Sequence, residues 1–435
     1  MILSVSHAIP QKERWTTHGS IWKEGRGYIC GGMTGGQCRT RPTQGKMIPV
    51  LEKDSGSPSR SSKWQRNIVA SILLTITTGC LLAAYLIFGT NRVDYSKAQG
   101  HFDKYYTLSQ DCFAAPANPG DRRRDKSHLK VVNFNTEWLF LYGGMGGIRC
   151  PAESCPWVNF DAAMHHLEKV AELLVKIDAD IVHLSEIEDC RVLRALLEAM
   201  RTGHEYRAYL ISGKDHMTGQ NVGFITKVDP KTDLIRTEKR GHYPIDGSKC
   251  RHRKGSVGVT KHYVAAIDID DGEGKITPFV FAGLHLLARP SDKFRCAQRE
   301  GQAIVLRDLV KSMSLNGQKV VMMGDFNDYD EEAPGIDGRK PLTQVLKVLR
   351  ESSWAGGGLA NAAKLVPMKR RYSCWFDANQ NCRVDGEKEL VFIDHILYDA
   401  ELEVVDAKIY HDLVPMPSCE ERISDHWPFS ITFKL

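Results

Sequence analysis

Five short apolar runs in this chain each stop at residues able to hold a metal ion or move a proton. The clearest is Val320-Val321-Met322-Met323, followed at once by Gly324-Asp325-Phe326-Asn327-Asp328. A β-branched and apolar run that ends at Gly and then presents carboxylate, amide and carboxylate reads as a buried strand delivering those groups to the rim of a sheet. Taken alone it is also ordinary turn chemistry. Four more runs carry similar cargo: Asn133-Phe134-Asn135-Thr136-Glu137-Trp138, Asp180-Ile181-Val182-His183-Leu184-Ser185-Glu186, Phe279-Val280-Phe281-Ala282-Gly283-Leu284-His285, and Phe392-Ile393-Asp394-His395, the last read with the late Ser424-Asp425-His426. Carboxylates and amides suit a hard cation, and imidazoles suit proton transfer.

Alternating strands and helices must position these groups. Strands are expected at 129–134, 180–184, 222–226, 263–269, 279–284, 320–323, 390–398 and 429–433. Apolar spacing at Ala163, Leu167, Val170, Leu173, Leu174 and Ile177 predicts a helix over 160–177. Further helices are expected at 190–200, 294–315 and 342–351. About 300 residues of mixed α and β structure can bury a sizeable single core.

The order amide, glutamate, histidine, Asp-x-Asn and Ser-Asp-His resembles the endonuclease/exonuclease/phosphatase superfamily, typified by deoxyribonuclease I and the abasic-site endonucleases. The resemblance runs from about Leu129 to the C-terminus. It implies an α/β (α+β) fold, a four-layer sandwich of two mixed β-sheets flanked by helices, with the site where strand ends converge. It also implies phosphodiester hydrolysis, which needs a cation to neutralise charge, a base for water and donors for the transition state. Mg²⁺ is the expected cofactor, with Mn²⁺ and Ca²⁺ as alternatives of the same hard type. On that reading Glu186 is the first metal ligand, with Asn135 and Asp425 completing the shell. His426 works at the attacking water and is oriented by Asp394. Asp325 and Asn327 position the water or bind phosphate, and His285 contacts phosphate and protonates the leaving oxygen. His183, His395 and Glu188 are expected to be structural, facing away or lying at the rim.

Substrate does not follow from such a resemblance. The inositol-polyphosphate 5-phosphatase branch is disfavoured, because Asp328-Tyr329 and Ile393-Asp394-His395 stand where that branch has Tyr-Arg and Cys-Asp-Arg. The opening Asn-Thr-Glu-Trp-Leu-Phe looks closer to secreted bacterial nucleases, so DNA or RNA is the expected partner. A lipid headgroup, cleaved as by a sphingomyelinase, is the alternative, and a non-catalytic membrane receptor or scaffold is a third reading. Between Arg236 and Lys261 lie eight Lys/Arg against Glu238 and Asp246, either a track for phosphates or a solvated hairpin. Arg295 and Arg299 either face the site or ride an exposed helix face. The stretch from Asp377 to Lys388 spaces oxygens like the start of a calcium loop but lacks its Gly and closing Glu, so a polar loop is expected.

The first part of the chain is different. Residues 68–88 form 21 uncharged residues in the 435-residue sequence, enough to span roughly 30 Å as a helix. One transmembrane helix is therefore expected at 67–89, preceded by a disordered basic tail, 1–66, and followed by a stalk, 90–126, and a catalytic domain, 127–435. Met47 is a later in-frame methionine, so residues 1–46 need not belong to the product. The tail holds 11 Lys/Arg against 4 Asp/Glu, which predicts a cytoplasmic N-terminus and an extracytoplasmic catalytic domain. Residues 99–435 carry 45 basic and 48 acidic residues, so no broad charge footprint for nucleic acid exists. Nine of the twelve cysteines lie beyond residue 98. No zinc spacing is visible, so disulfides are expected, with Cys150/Cys155 and Cys374/Cys382 near enough in sequence to staple loops.

Overall fold

Period-two alternation in the strand around Val320 decides the layering. Val321 and Met323 join the core between two sheets, whereas Val320 and Met322 join a second core under helices. The computed structural model describes residues 107–141, 157, 160–250, 253–314, 317–350, 358–414, 419 and 422–435, all within the compact unit Arg92–Leu435.

A six-stranded sheet is built from β1 (His128–Leu139), β2 (Ile181–Ile187), β3 (Arg207–Leu210), β4 (Asn221–Thr226), β14 (Val404–Ile409) and β15 (Phe429–Lys434), in the order β14-β15-β1-β2-β4-β3. Between them in sequence come β5 (Arg240–Tyr243) and β6 (Gly255–Gly258), a separate hairpin. A five-stranded sheet, ordered β10-β13-β9-β8-β7, uses β7 (His262–Asp270), β8 (Ile276–His285), β9 (Lys319–Asp325), β10 (Leu359–Asn361) and β13 (Asp394–Asp399). β11 (Cys374–Trp375) and β12 (Leu390–Val391) pair with each other. Both sheets are mixed: β1–β2 and β8–β9 are parallel and the other pairs antiparallel.

Helices α1 (Phe160–Ile177) and α2 (Cys190–Met200) bury Leu167, Val170, Leu174, Val192 and Leu196 in the core shared with the six-stranded sheet. Helices α3 (Cys296–Met313) and α4 (Val345–Arg350) bury Ala303, Leu306, Val310, Val345 and Leu346 with Val280, Ala282 and Leu284 of β8. Each fully buried aliphatic side chain is worth roughly 1.5–3 kcal/mol of transfer free energy. The expected sandwich of mixed sheets with helices outside is what forms.

Several expectations are corrected. The strand expected at 390–398 is two strands, because the chain changes partner at Phe392-Ile393: β12 pairs with β11, and β13 with β9 and β10. The strand expected at 129–134 continues to Leu139. Of the stalk expected at 90–126, residues 107–126 are described, and they are packed on the domain. Cys112 is disulfide-bonded to Cys190, and Arg122 forms a two-pronged pair with buried Asp229. Among the described residues the other disulfides are Cys250–Cys296 and Cys382–Cys419, leaving Cys374 as a buried free thiol rather than the partner of Cys382. Cys150 and Cys155 lie outside the described residues, as do the tail 1–66 and the span 67–89. Among the described residues no helix is long and apolar enough to cross a membrane.

Candidate active site

Strand register assembles the site. In the five-stranded sheet Asp325 of β9 lies opposite His285 of β8 on one side and Asp394 of β13 on the other. In the six-stranded sheet Asn135 of β1 lies opposite Ser185, next to Glu186. The approach at Gly324 admits no side chain: a Cβ there would sit 1.9 Å from the Leu284 carbonyl oxygen, and φ is +153°. Glycine is the residue that tolerates both demands.

Hydrogen bonds then join the two sheets. The Asn135 amide donates to Asp325 Oδ2 at 3.2 Å and to Glu186 Oε1 at 3.3 Å, and lies 3.5 Å from His426 Nε2. The Asn133 amide donates to Asp394 Oδ1 and to the Gly324 carbonyl, both at 3.2 Å. His426 Nδ1 lies 2.6 Å from Asp394 Oδ2. Its Nε2 is 3.9 Å from both Asp325 Oδ2 and Asp425 Oδ1. His285 Nε2 is 3.6 Å from Asp325 Oδ2. The Asn327 backbone N–H donates to Asp325 Oδ1 at 2.8 Å, and its side chain to the Leu286 carbonyl. Asn135, Glu186, His285, Asp325, Asn327, Asp394, Asp425 and His426 are thus brought together.

Four non-glycine residues at this rim have left-handed backbones: Glu137 (φ 47°), Trp138 (φ 60°), Glu186 (φ 63°) and Asn327 (φ 48°). Such conformations cost of order 1–3 kcal/mol each and hold only where neighbours over-determine them. Here the Trp138 N–H donates to Glu186 Oε2 at 3.1 Å, and the Glu137 N–H to Asn135 Oδ1 at 3.1 Å.

Burial works against charge on His426, but the Asp394 carboxylate overrides it and raises its pKa well above the usual value. Asp325 is raised to about 7, by burial first and then by Asp394. Glu186 is raised by burial and then by Asp425. Burial, followed by the charge of Lys261, pushes His285 well below the usual histidine value. Both causes favour the neutral ring at His285.

The chemistry of the donor set fits a hard divalent cation. The Asn135 amide contacts the Glu186 carboxylate, and the neighbouring Asp425 charge adds to the cost of ionising Glu186, a cost that a cation would relieve. Cys374 lies close to Asp425 and His426, but burial pushes its thiol up to about 12. Burial thus favours the protonated thiol.

Three residues escaped the sequence reading. Glu137 accepts from the Asp425 backbone N–H at 2.9 Å and from Arg422, tying β1 to the loop that carries Asp425 and His426. Lys261 is buried beside the site: the His285 N–H donates to its carbonyl at 3.1 Å, and its ammonium contacts Asp215 and Gln220, each at 3.2 Å. In sequence it was one of eight basic residues with nothing to single it out. Asn133 sits two residues before Asn135 on the same strand face, and that spacing was its only signal.

Of the three residues expected to face away or lie at the rim, Glu188 is half-buried and accepts from the Leu141 N–H at 2.7 Å. His183 is buried between the sheets, with Nδ1 3.1 Å from the Tyr263 hydroxyl and Nε2 3.2 Å from Ser185 Oγ. His395 is fully buried and joins Asn361 to the Asp328 carbonyl. Arg299 faces neither the site nor solvent; it is buried against Asp328 at 3.0 Å.

This arrangement, two histidines and a set of buried acids at converging strand ends of a two-sheet sandwich, defines a class of phosphoester hydrolases. The chain matches the Endonuclease/Exonuclease/phosphatase family over residues 158–426 and belongs to that family. Similar solved structures include truncated TDP2 of Caenorhabditis elegans (17% identity, covering 71% of this chain and 98% of that one, TM-score 0.42). Another is a family protein from Leptotrichia buccalis (14%, 71% and 100%, TM-score 0.45). A third is a variant of the 3′ phosphatase NExo from Neisseria bound to a product DNA hairpin (18%, 71% and 100%, TM-score 0.44). Comparison with curated proteins finds no match.

Proposed function

We propose that this chain is a metal-dependent phosphodiesterase, a nuclease whose catalytic domain works outside the cytoplasm on a single membrane tether. The observation that carries the reading is the Asp394–His426 pair aimed at an oxygen-rich cluster, His426 Nε2 facing Asp325, Asp425 and Asn135. Asn135, Glu186 and Asp425 would hold Mg²⁺, which when bound supplies neutralisation of phosphate charge and acidification of water. Asp394 fixes the tautomer of His426 so that Nε2 points to the reacting water, and its field gives the ring the basicity needed to take a proton. Asp325 and Asn327 orient groups around that water, and neutral His285 offers an N–H to a phosphate oxygen. The ammonium of Lys261, beside His285, adds positive charge for a non-bridging oxygen.

Three disulfides among the described cysteines support an oxidising compartment, in line with the charge bias around residues 67–89. The surplus of cations on the β5–β6 hairpin favours a polyanion over a small ester. The test is incubation of the purified protein with plasmid, RNA and sphingomyelin, each with Mg²⁺ and with chelator. Nucleic-acid cleavage lost in His426→Ala and Asp325→Ala supports the proposal. Cleavage of sphingomyelin alone replaces it with the lipid reading, and inertness with every divalent metal replaces it with a scaffold.

A further inference from the structure

The loop that leaves the site after His285, residues 287–295, is held rigidly and yet exposes an aromatic ring. Buried Arg299 clamps its start, donating to the carbonyls of Leu287, Arg289 and Pro290 while pairing with Asp328, the residue after Asn327. At its far end the Asp292 carboxylate accepts from the backbone N–H groups of Phe294 and Arg295, at 2.7 and 3.2 Å. Two residues past Phe294, Cys296 is disulfide-bonded to Cys250 of the connection between β5 and β6. Between these fixed ends Phe294 is 75% exposed.

A single exposed apolar residue is ordinary by itself. Here it stands among Arg289, Lys293 and Arg295, with Asp292 the only acid in residues 287–295. The cation-bearing hairpin is locked alongside. Gly241 and Gly301 bring β5 onto α3 so closely that a Cβ on Gly241 would lie 2.1 Å from the Gly301 carbonyl oxygen. Gln302 ties the two pieces together: it donates to the Gly258 carbonyl of β6 and accepts from the Leu287 N–H. Lys239 and Lys254 of the hairpin and Lys293 of the loop have no carboxylate partner among the described residues. Flat aromatic surface among fixed cations is what an unpaired nucleotide segment requires, base on ring and phosphates on ammonium groups. A membrane surface would call for a broader apolar face than this loop presents.

We propose that loop 287–295 and the β5–β6 hairpin form one ledge that binds single-stranded nucleic acid, Phe294 stacking on a base and Lys239, Lys254 and Lys293 meeting phosphates. This rests on the nuclease reading above. The test measures fluorescence anisotropy of a labelled single-stranded oligonucleotide with the full-length protein in chelator, so that binding is read without cleavage. Phe294→Ala weakens binding about tenfold and raises KM for single-stranded substrate far more than it lowers kcat, while Phe294→Trp restores both. The double change Lys239→Glu and Lys254→Glu lowers the salt dependence of binding, by about 0.7 units of slope for each phosphate no longer neutralised. Unchanged affinity in Phe294→Ala overturns the ledge while leaving the nuclease reading intact. So does a loss confined to binding of vesicles of phosphatidylserine and phosphatidylcholine. If the wild-type protein neither binds nor cleaves any oligonucleotide, both proposals fall.

Discussion

Asp394 and His426 meet across the two sheets. Asp394 opens β13 of the five-stranded sheet, His426 lies on the segment leading into β15 of the six-stranded one, and their side chains are 2.6 Å apart. The pair therefore depends on how the sheets pack. Asn133, reaching from β1 to Asp394 and to the Gly324 carbonyl, pins that packing at the same point.

Asp394→Asn keeps the shape of this pairing but removes the charge and lets the imidazole adopt the wrong tautomer. The expected loss in kcat is about 10²–10⁴-fold with KM little changed. Steady-state kinetics on whichever substrate the wild-type protein cleaves would check it, and a loss smaller than about threefold would remove Asp394 from the mechanism.

Removal of divalent metal should abolish activity and leave the fold intact, with Mg²⁺ restoring turnover. Mg²⁺ should also raise thermal stability by about 2.7 kcal/mol at a hundredfold excess over Kd, because the crowded acids near Glu186 repel one another without it. Glu186→Gln should shrink that thermal shift. Equal melting curves for the wild type in Mg²⁺ and in chelator would count against a site among these residues.

The Arg299–Asp328 pair is fully buried at both ends, with Thr343 also donating to Asp328 at 2.6 Å. Breaking it by Arg299→Met strands a carboxylate in the core and should cost about 3–5 kcal/mol in urea denaturation. Pairing that change with Asp328→Leu should recover much of the loss. Additive losses in the double variant would show that the interaction is weaker than its burial implies.

Two histidines outside the candidate site contribute a pH dependence of stability. Burial holds both His166 and His183 down to about 3, against about 6.5 in the unfolded chain. Between pH 6.5 and about 3 the unfolded chain binds more protons, so stability falls as pH falls through that window. The slope is about 1.4 kcal/mol per pH unit for each histidine. His166→Leu should therefore lose roughly 2 kcal/mol of the wild-type drop in stability between about pH 7.5 and 5. Identical slopes in urea titrations would refute this account of His166.

Peptide mapping without reduction should find Cys112–Cys190, Cys250–Cys296 and Cys382–Cys419, with Cys374 alkylated only after unfolding. A Cys374–Cys382 peptide would contradict the arrangement, since Cys374 is buried beside His426 in a strand pairing with Val391.

The strand ends were legible because period-two apolar runs and abrupt polar stops are local signals. Asp325, His285 and Asp394 could each be picked from sequence, but their side-by-side register could not, because it depends on which strands pair. The histidines next to them show the same limit. Nothing local distinguishes His183, turned into the core between sheets, from His285, turned toward the acids. The split of 390–398 into β12 and β13 is a change of partner inside one apolar run. The roles of Glu137 and Lys261 arise from contacts separated by 288 residues in one case and by a change of strand in the other. Disulfide pairing is likewise set by the folded chain: Cys382 bonds to Cys419, 37 residues away, rather than to its nearer neighbour.

The left-handed backbones at Glu137, Trp138, Glu186 and Asn327 set a trap for anyone trying to make this domain hardier. Selection for heat resistance alone would favour glycine at 186 and 327, where it relieves the left-handed backbone. Every such winner would have discarded a carboxylate or amide of the candidate site. Ruggedness in this domain has to be sought away from the strand ends, in places such as the exposed faces of α1 and α2.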